Sequence, residues 1–130
     1  MTPFRVLVID GDRLLARMIE LALGQMGNLV FHHAGNGQVG TQLASRNPPD
    51  LILLGFDLPM MDGLETLRRL RADERTARTP IVAIAEAHRT APRCVEMINS
   101  CDAHVPKPFE LRVLRQTVHL FLNAPRSASV

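Results

Sequence analysis

Tryptophan and tyrosine are absent from this 130-residue chain and only five phenylalanines are present, so intrinsic fluorescence has almost no reporter here. Only two cysteines occur, Cys94 and Cys101, seven apart in a segment with helical periodicity. Two helical turns separate them by roughly 10 Å, beyond disulfide reach. They are read as reduced, buried, small apolar residues of a cytoplasmic protein. No apolar run approaches membrane-spanning length. The apolar stretch after Arg5 ends at Asp10, too short for a signal-peptide core. Basic runs are also missing. Fifteen Lys and Arg against thirteen Asp and Glu leave a net charge of +2, which gives no bulk electrostatic reason to bind nucleic acid or a membrane. The apolar fraction of 46% and charged fraction of 22% exclude a disordered or fibrous chain, and the length suits one core.

What is present is an alternation of short apolar runs with helix-period segments. Strands are predicted at Phe4–Ile9, Leu29–His33, Leu51–Leu54, Ile81–Ala85 and Ala103–Val105. The LILL run suits a strand buried on both faces. Helices are predicted over Arg13–Met26 with Asp12 as cap, and over Gly37–Arg46. A third begins after Asp62, which with Glu65 has the spacing of a capping box. The fourth runs from a Thr90 cap through Cys101, and the last spans Glu110–Asn123. Residues 124–130 (APRSASV) are expected to be a frayed tail beyond a single domain over 1–123.

Five βα units in succession imply an α/β fold with a doubly wound parallel sheet and helices on both faces. In such sheets the site lies beyond the carboxyl ends of the strands. The pattern alone therefore singles out Asp10, Gly11 and Asp12; Gly55, Phe56 and Asp57; Ala85 and Glu86; and Pro106, Lys107 and Pro108.

The stretches VLVIDGD, PDLILLGFDLPMMDGLETLRRLRAD, TPIVAIAEA and VPKPFE resemble the receiver domain of bacterial two-component response regulators over nearly the whole chain. The resemblance implies a flavodoxin-like, five-stranded sheet in the order 2-1-3-4-5. It also implies a chemistry: two adjacent acids that hold Mg²⁺, an acceptor aspartate ending the third strand, a Thr or Ser ending the fourth, and a lysine after the fifth. Acceptor and phosphoryl group are both anionic, so a metal and a lysine must neutralise them before in-line attack.

Carried over by position, Asp10 fits the first acid and Gly11 stands at the second, with Asp12 next. Gly55 stands at the acceptor position and Ala85 at the hydroxyl position, while Lys107 fits the lysine. His104 takes the place of an aromatic residue near the end of the fifth strand. The expectation is a degenerate, non-enzymatic receiver that acts by protein–protein interaction. Since no output domain follows, its own surface is expected to carry the message. Lys107 is the single lysine beside fourteen arginines, and a pair with Asp10 or Asp57 would lock the loops without phosphate. No functional Mg²⁺ is expected, Asp10, Asp12 and Asp57 being the carboxylates that could offer oxygens.

Two alternatives stand beside this reading. One is an atypical receiver phosphorylated on Asp57 or Asp10. The other is a module that binds an anion or metabolite in the space left by Gly11, Gly55 and Ala85. The resemblance implies a histidine kinase, phosphotransfer protein or output protein as partner. It also implies a dimer or docking face on the fourth helix, fifth strand and fifth helix, where His104, Val113 and Leu120 would lie. The literal GxGxxG at Gly35–Gly40 follows the second strand rather than the first, and the chain has no room for a second nucleotide-binding half, so it is read as a turn. The five histidines form no metal cluster: His32 and His33 point to opposite faces, and His88 and His119 read as surface residues.

Overall fold

The computed structural model describes residues 2–123; the expected tail at 124–130 lies outside the described residues. In chain order the elements are β1 (Phe4–Ile9), α1 (Arg13–Leu23), β2 (Leu29–Ala34), α2 (Gly37–Arg46), β3 (Leu51–Gly55), α3 (Gly63–Ala72), β4 (Ile81–Glu86), α4 (Pro92–Ser100), β5 (Ala103–Lys107) and α5 (Leu111–Leu122). The five strands form one parallel sheet in the order β2-β1-β3-β4-β5. The alternation predicts the parallel sheet, and the flavodoxin-like strand order is the one that the receiver resemblance implies.

Strand alternation sorts the apolar residues into two layers. Val6 and Val8 of β1, Leu51 and Leu53 of β3, and Val82 and Ile84 of β4 pack with α1 and α5. Leu7 and Ile9, Ile52 and Leu54, and Ile81 and Ala83 face the other way, toward α2, α3 and α4. Each such aliphatic side chain removed from water contributes about 1.5–3 kcal/mol. Because β3 is apolar and buried on both faces, its register is set by side-chain packing and by its pairing with β1 and β4 rather than by polar–apolar alternation.

Local capping sets several helix starts. Asp12 accepts the Leu15 N–H at 3.1 Å, Asn36 the Val39 N–H at 2.8 Å and Asp62 the Glu65 N–H at 3.0 Å. Gly35–Gly40 is therefore a capped helix start. A side chain at Gly37 would strike Thr66, and one at Gly40 would strike Ile9, so these glycines let α2 approach α3 and β1.

Several boundaries differ from the sequence expectation by a residue or more, and three of the differences have a visible cause. α1 ends at Leu23 rather than Met26, the chain turning through Gly27 at φ +145°. α4 is capped not by Thr90 but by Ala91, without a side-chain bond, because Pro92 supplies the first helical residue and holds Ala91 extended. β5 continues to Lys107 with Pro106 inside it, which an edge strand tolerates.

Candidate functional site

The sheet register assembles the carboxyl ends of the strands. Ile9 pairs with Leu54, so Asp10, one residue on, stands beside Gly55. Ala85 pairs with Pro106 and Glu86 with Lys107. Asp10, Gly55, Ala85 and Lys107 thus meet at one place, as the sequence predicts.

Asp10 is buried and held by every polar atom it has. Its N–H donates to Ala34 O at 3.0 Å, and its carbonyl accepts from His33 Nε2 at 2.8 Å. Its Oδ1 accepts the Asp12 N–H at 2.9 Å, and its Oδ2 accepts from Lys107 Nζ at 3.2 Å. A Cβ built on Gly55 would collide with this same carboxylate oxygen. The Asp10 carboxylate therefore fills the volume above the end of β3, and glycine is what allows it to do so.

The other sequence candidates are turned elsewhere. Asp12 is exposed and caps α1. Gly11 is exposed and has ordinary room for a Cβ, so the absence of an acid there is not forced by packing. Asp57 is 68% exposed and gripped by both guanidinium nitrogens of Arg89, each at 2.9 Å. That contact holds Arg89 further above its usual pKa. The Arg89 guanidinium also stands 5.1 Å from the centre of the Phe56 ring, in cation–π range. A second forked pair joins the same two loops: Arg93 donates to Asp62 through Nε at 2.6 Å and Nη2 at 3.0 Å. The Arg93 guanidinium and the α3 N-terminal amides hold the Asp62 carboxyl below the usual carboxylate range.

Arg89 and Arg93 escaped the sequence reading. Nothing in the chain separates them from the other arginines, since their partners lie 32 and 31 residues away. His33 was set aside there as a residue of alternating strand orientation, yet it tethers the Asp10 carbonyl.

Between Phe56, Ala85, Arg89, Cys94 and Lys107 the remaining cavity is about 10 Å³. That is room for about one water molecule, so an anion or metabolite enters only if the Arg89 and Lys107 side chains move aside. The carboxylates also do not fit Mg²⁺. Asp10 is committed to Lys107 and an amide, Asp12 to a helix cap, and Asp57 to Arg89, and no group of three or more His, Cys, Asp or Glu is placed to hold a metal among the described residues.

The expected docking residues divide. Leu120 is 69% exposed, whereas His104 is half-buried with Nε2 donating to Ala85 O at 2.9 Å. Val113 corrects the sequence reading: it packs against the core layer beside Leu114 and Val118, because α5 is rotated to bring that shoulder inward. Leu111 is exposed at the start of the helix. His88 and His119 sit at the surface, beside Glu86 and Asn123. Cys101 is only partly buried, unlike Cys94, and both are free thiols. No helix among the described residues is long and apolar enough to cross a membrane.

The family profile of the response regulator receiver domain matches residues 6–119. The DNA-binding dual master transcriptional regulator RpaA of Synechocystis is 30% identical over 91% of this chain and 48% of its own length. The chain thus spans about half the length of that relative. A crystal structure of a response regulator from Chloroflexus aurantiacus superposes with a TM-score of 0.84 at 26% identity, covering 95% of this chain and all of the other. The receiver domain of a sensor histidine kinase from Pseudomonas aeruginosa, crystallised with magnesium coordinated in its active site cleft, also gives 0.84, at 23% identity, covering 95% of this chain and all of the other. Fold, register and family profile agree, and the chain belongs to the response regulator receiver domain family.

Proposed function

We propose that this chain serves two-component signal transduction as a phosphorylation-independent interaction module, and that it is not an enzyme. The observation that carries the reading is the carboxylate of Asp10 standing over Gly55, paired with Lys107. Phosphoryl transfer to a receiver needs a carboxylate oxygen free to attack, with cationic charge placed to neutralise the incoming group. Gly55 offers no oxygen. The lysine at this site is already engaged by Asp10, and the Asp57 oxygens are both engaged by Arg89. In a working receiver an added phosphate shifts a conformational equilibrium. Here an intramolecular ion pair takes the corresponding place, and the bias comes from contacts within the chain and from the partner.

The partner is a signalling protein: a histidine kinase, a phosphotransfer protein or an output protein. The face formed by α4, β5 and α5 is its docking surface, with exposed Leu120 and Val95 as apolar contacts and His104 at its edge. A homodimer through this face is the alternative occupant.

Relocation of phosphate to Asp57 is the second reading, supported by that carboxylate's exposure. Amide NMR separates the two. With Mg²⁺ and a small phosphodonor, the signals of Gly55, Phe56, Asp57, Ala85 and Lys107 are expected to stay in place. Saturable shifts centred on Asp57, lost in Asp57→Ala, would instead establish the relocated acceptor.

A further inference from the structure

Two loops meet beyond the carboxyl end of the sheet, residues 56–62 after β3 and residues 87–91 after β4. Among the described residues no backbone hydrogen bond joins them. Each loop closes on its own side instead: the Leu58 and Gly63 N–H groups donate to Phe56 O, and the Arg89 N–H donates to Glu86 O. What crosses the gap is a pair of arginine forks. Arg89 grips Asp57 and stands over the Phe56 ring, while Arg93, in the first turn of α4, grips Asp62. A guanidinium bonded through two nitrogens to one carboxylate fixes distance and orientation together. Arg89 also lies 3.7 Å from Glu86, but that carboxylate belongs to its own side and does not cross the gap. The start of α4 has no cap of its own, since Ala91 offers no side-chain bond. Farther along, α4 is anchored separately: Arg68 donates to Glu96 at 2.7 Å, and Met97 is buried.

We propose that the two forks act as a strap that holds the loop after β4 and the first turn of α4 down over Cys94 and Lys107. This end opens as a unit while the rest of the domain stays folded. Cys94 is fully buried beneath the strap, in the wall of the small cavity it shares with Phe56, Arg89 and Lys107. The ties above it are solvent-exposed, Asp57 at 68% and Arg93 at 51%, and exposed ion pairs are the weakest part of a fold. Local openings of such parts need less free energy than global unfolding. The strap therefore sets how readily the start of α4 leaves its place.

Cys94 reads this opening, and Cys101, at the far end of α4, is its internal control. The full chain is labelled with iodoacetamide at about pH 8, and peptide mass mapping separates the two thiols. Arg89→Met with Arg93→Met is expected to speed labelling of Cys94 about tenfold and to leave Cys101 unchanged. Asp57→Asn with Asp62→Asn breaks the forks from the other side and should give the same selective gain. The two arms alter the thiol's own reactivity in opposite directions, because Arg89 lowers the Cys94 pKa and Asp57 raises it. A gain in both arms therefore reads access. A gain in neither arm, or in one only, overturns the proposal. So does equal acceleration of Cys94 and Cys101, which marks loosening of the whole domain. None of these outcomes depends on whether the chain accepts phosphate.

Discussion

Lys107 Nζ lies 3.2 Å from Asp10 Oδ2, the carboxylate oxygen that a side chain at Gly55 would displace. Ninety-seven residues separate the two partners, and only the register of β1, β3, β4 and β5 brings them together. The ion pair and the glycine are one arrangement, since the carboxylate occupies the space the glycine leaves.

Removing the lysine strands the buried carboxylate. A fully buried pair loses about 3–5 kcal/mol when one partner is deleted. Lys107 keeps 29% of its side chain in solvent, so the loss for Lys107→Met is expected at about 2–3 kcal/mol. Adding Asp10→Asn should recover most of it. Urea unfolding of the single and double variants measures both values, and equal stabilities of the native chain and Lys107→Met would show that the pair carries no weight.

Gly55→Asp places a side chain where the Asp10 carboxylate already stands and adds a like charge beside it. Overpacking alone costs about 1–3 kcal/mol. The single variant should melt well below the native chain, and Gly55→Asp with Asp10→Ala should regain much of the difference. Calorimetry of the two variants gives the comparison, and an unchanged melting temperature in Gly55→Asp would contradict the packing.

Asp62 predicts a pH dependence of known sign. Its folded pKa lies below the unfolded-chain value of 3.8, chiefly through its bond to Arg93. The unfolded chain therefore takes up this proton first as pH falls. The stabilisation is complete above the unfolded value and is lost as pH drops through the folded pKa. The stability gap between native chain and Asp62→Asn, which keeps a capping oxygen, should narrow from about pH 6 to about pH 3. A gap constant with pH would remove the Arg93 contact from the account.

Burial pushes the Cys101 thiol up to about 12 and raises the Cys94 thiol as well. Thiolate is the reactive form, so both cysteines should alkylate slowly in the folded protein at about pH 8 and rapidly in denaturant. Labelling followed by intact mass reads the difference. Fast native labelling at Cys101 would mean that its surroundings open readily.

Much of this was legible in the chain because its causes are local or periodic. Asp12 and Asp62 cap helices through bonds to residues three positions on, a distance visible in sequence. The LILL run announced the doubly buried β3. The single lysine drew attention to Lys107, and its pairing with Asp10 followed as one of two options. The Arg89–Asp57 and Arg93–Asp62 forks were not legible, because fourteen similar arginines give no signal until the loops are placed in space. Val113 was misjudged because a helical wheel gives relative angles and leaves the rotation of α5 on the sheet undetermined. Thr90 was misjudged as a cap because Pro92 decides where α4 begins.

The central claim is that the chain works without taking up phosphate. Intact mass spectrometry after incubation with Mg²⁺ and a small phosphodonor tests it most directly. An unchanged mass, in the native chain and in Lys107→Met alike, is the result this account predicts. A single phosphoryl adduct on the native protein, lost in Asp57→Ala or Asp10→Ala, would contradict it and make the chain a working receiver with a relocated acceptor.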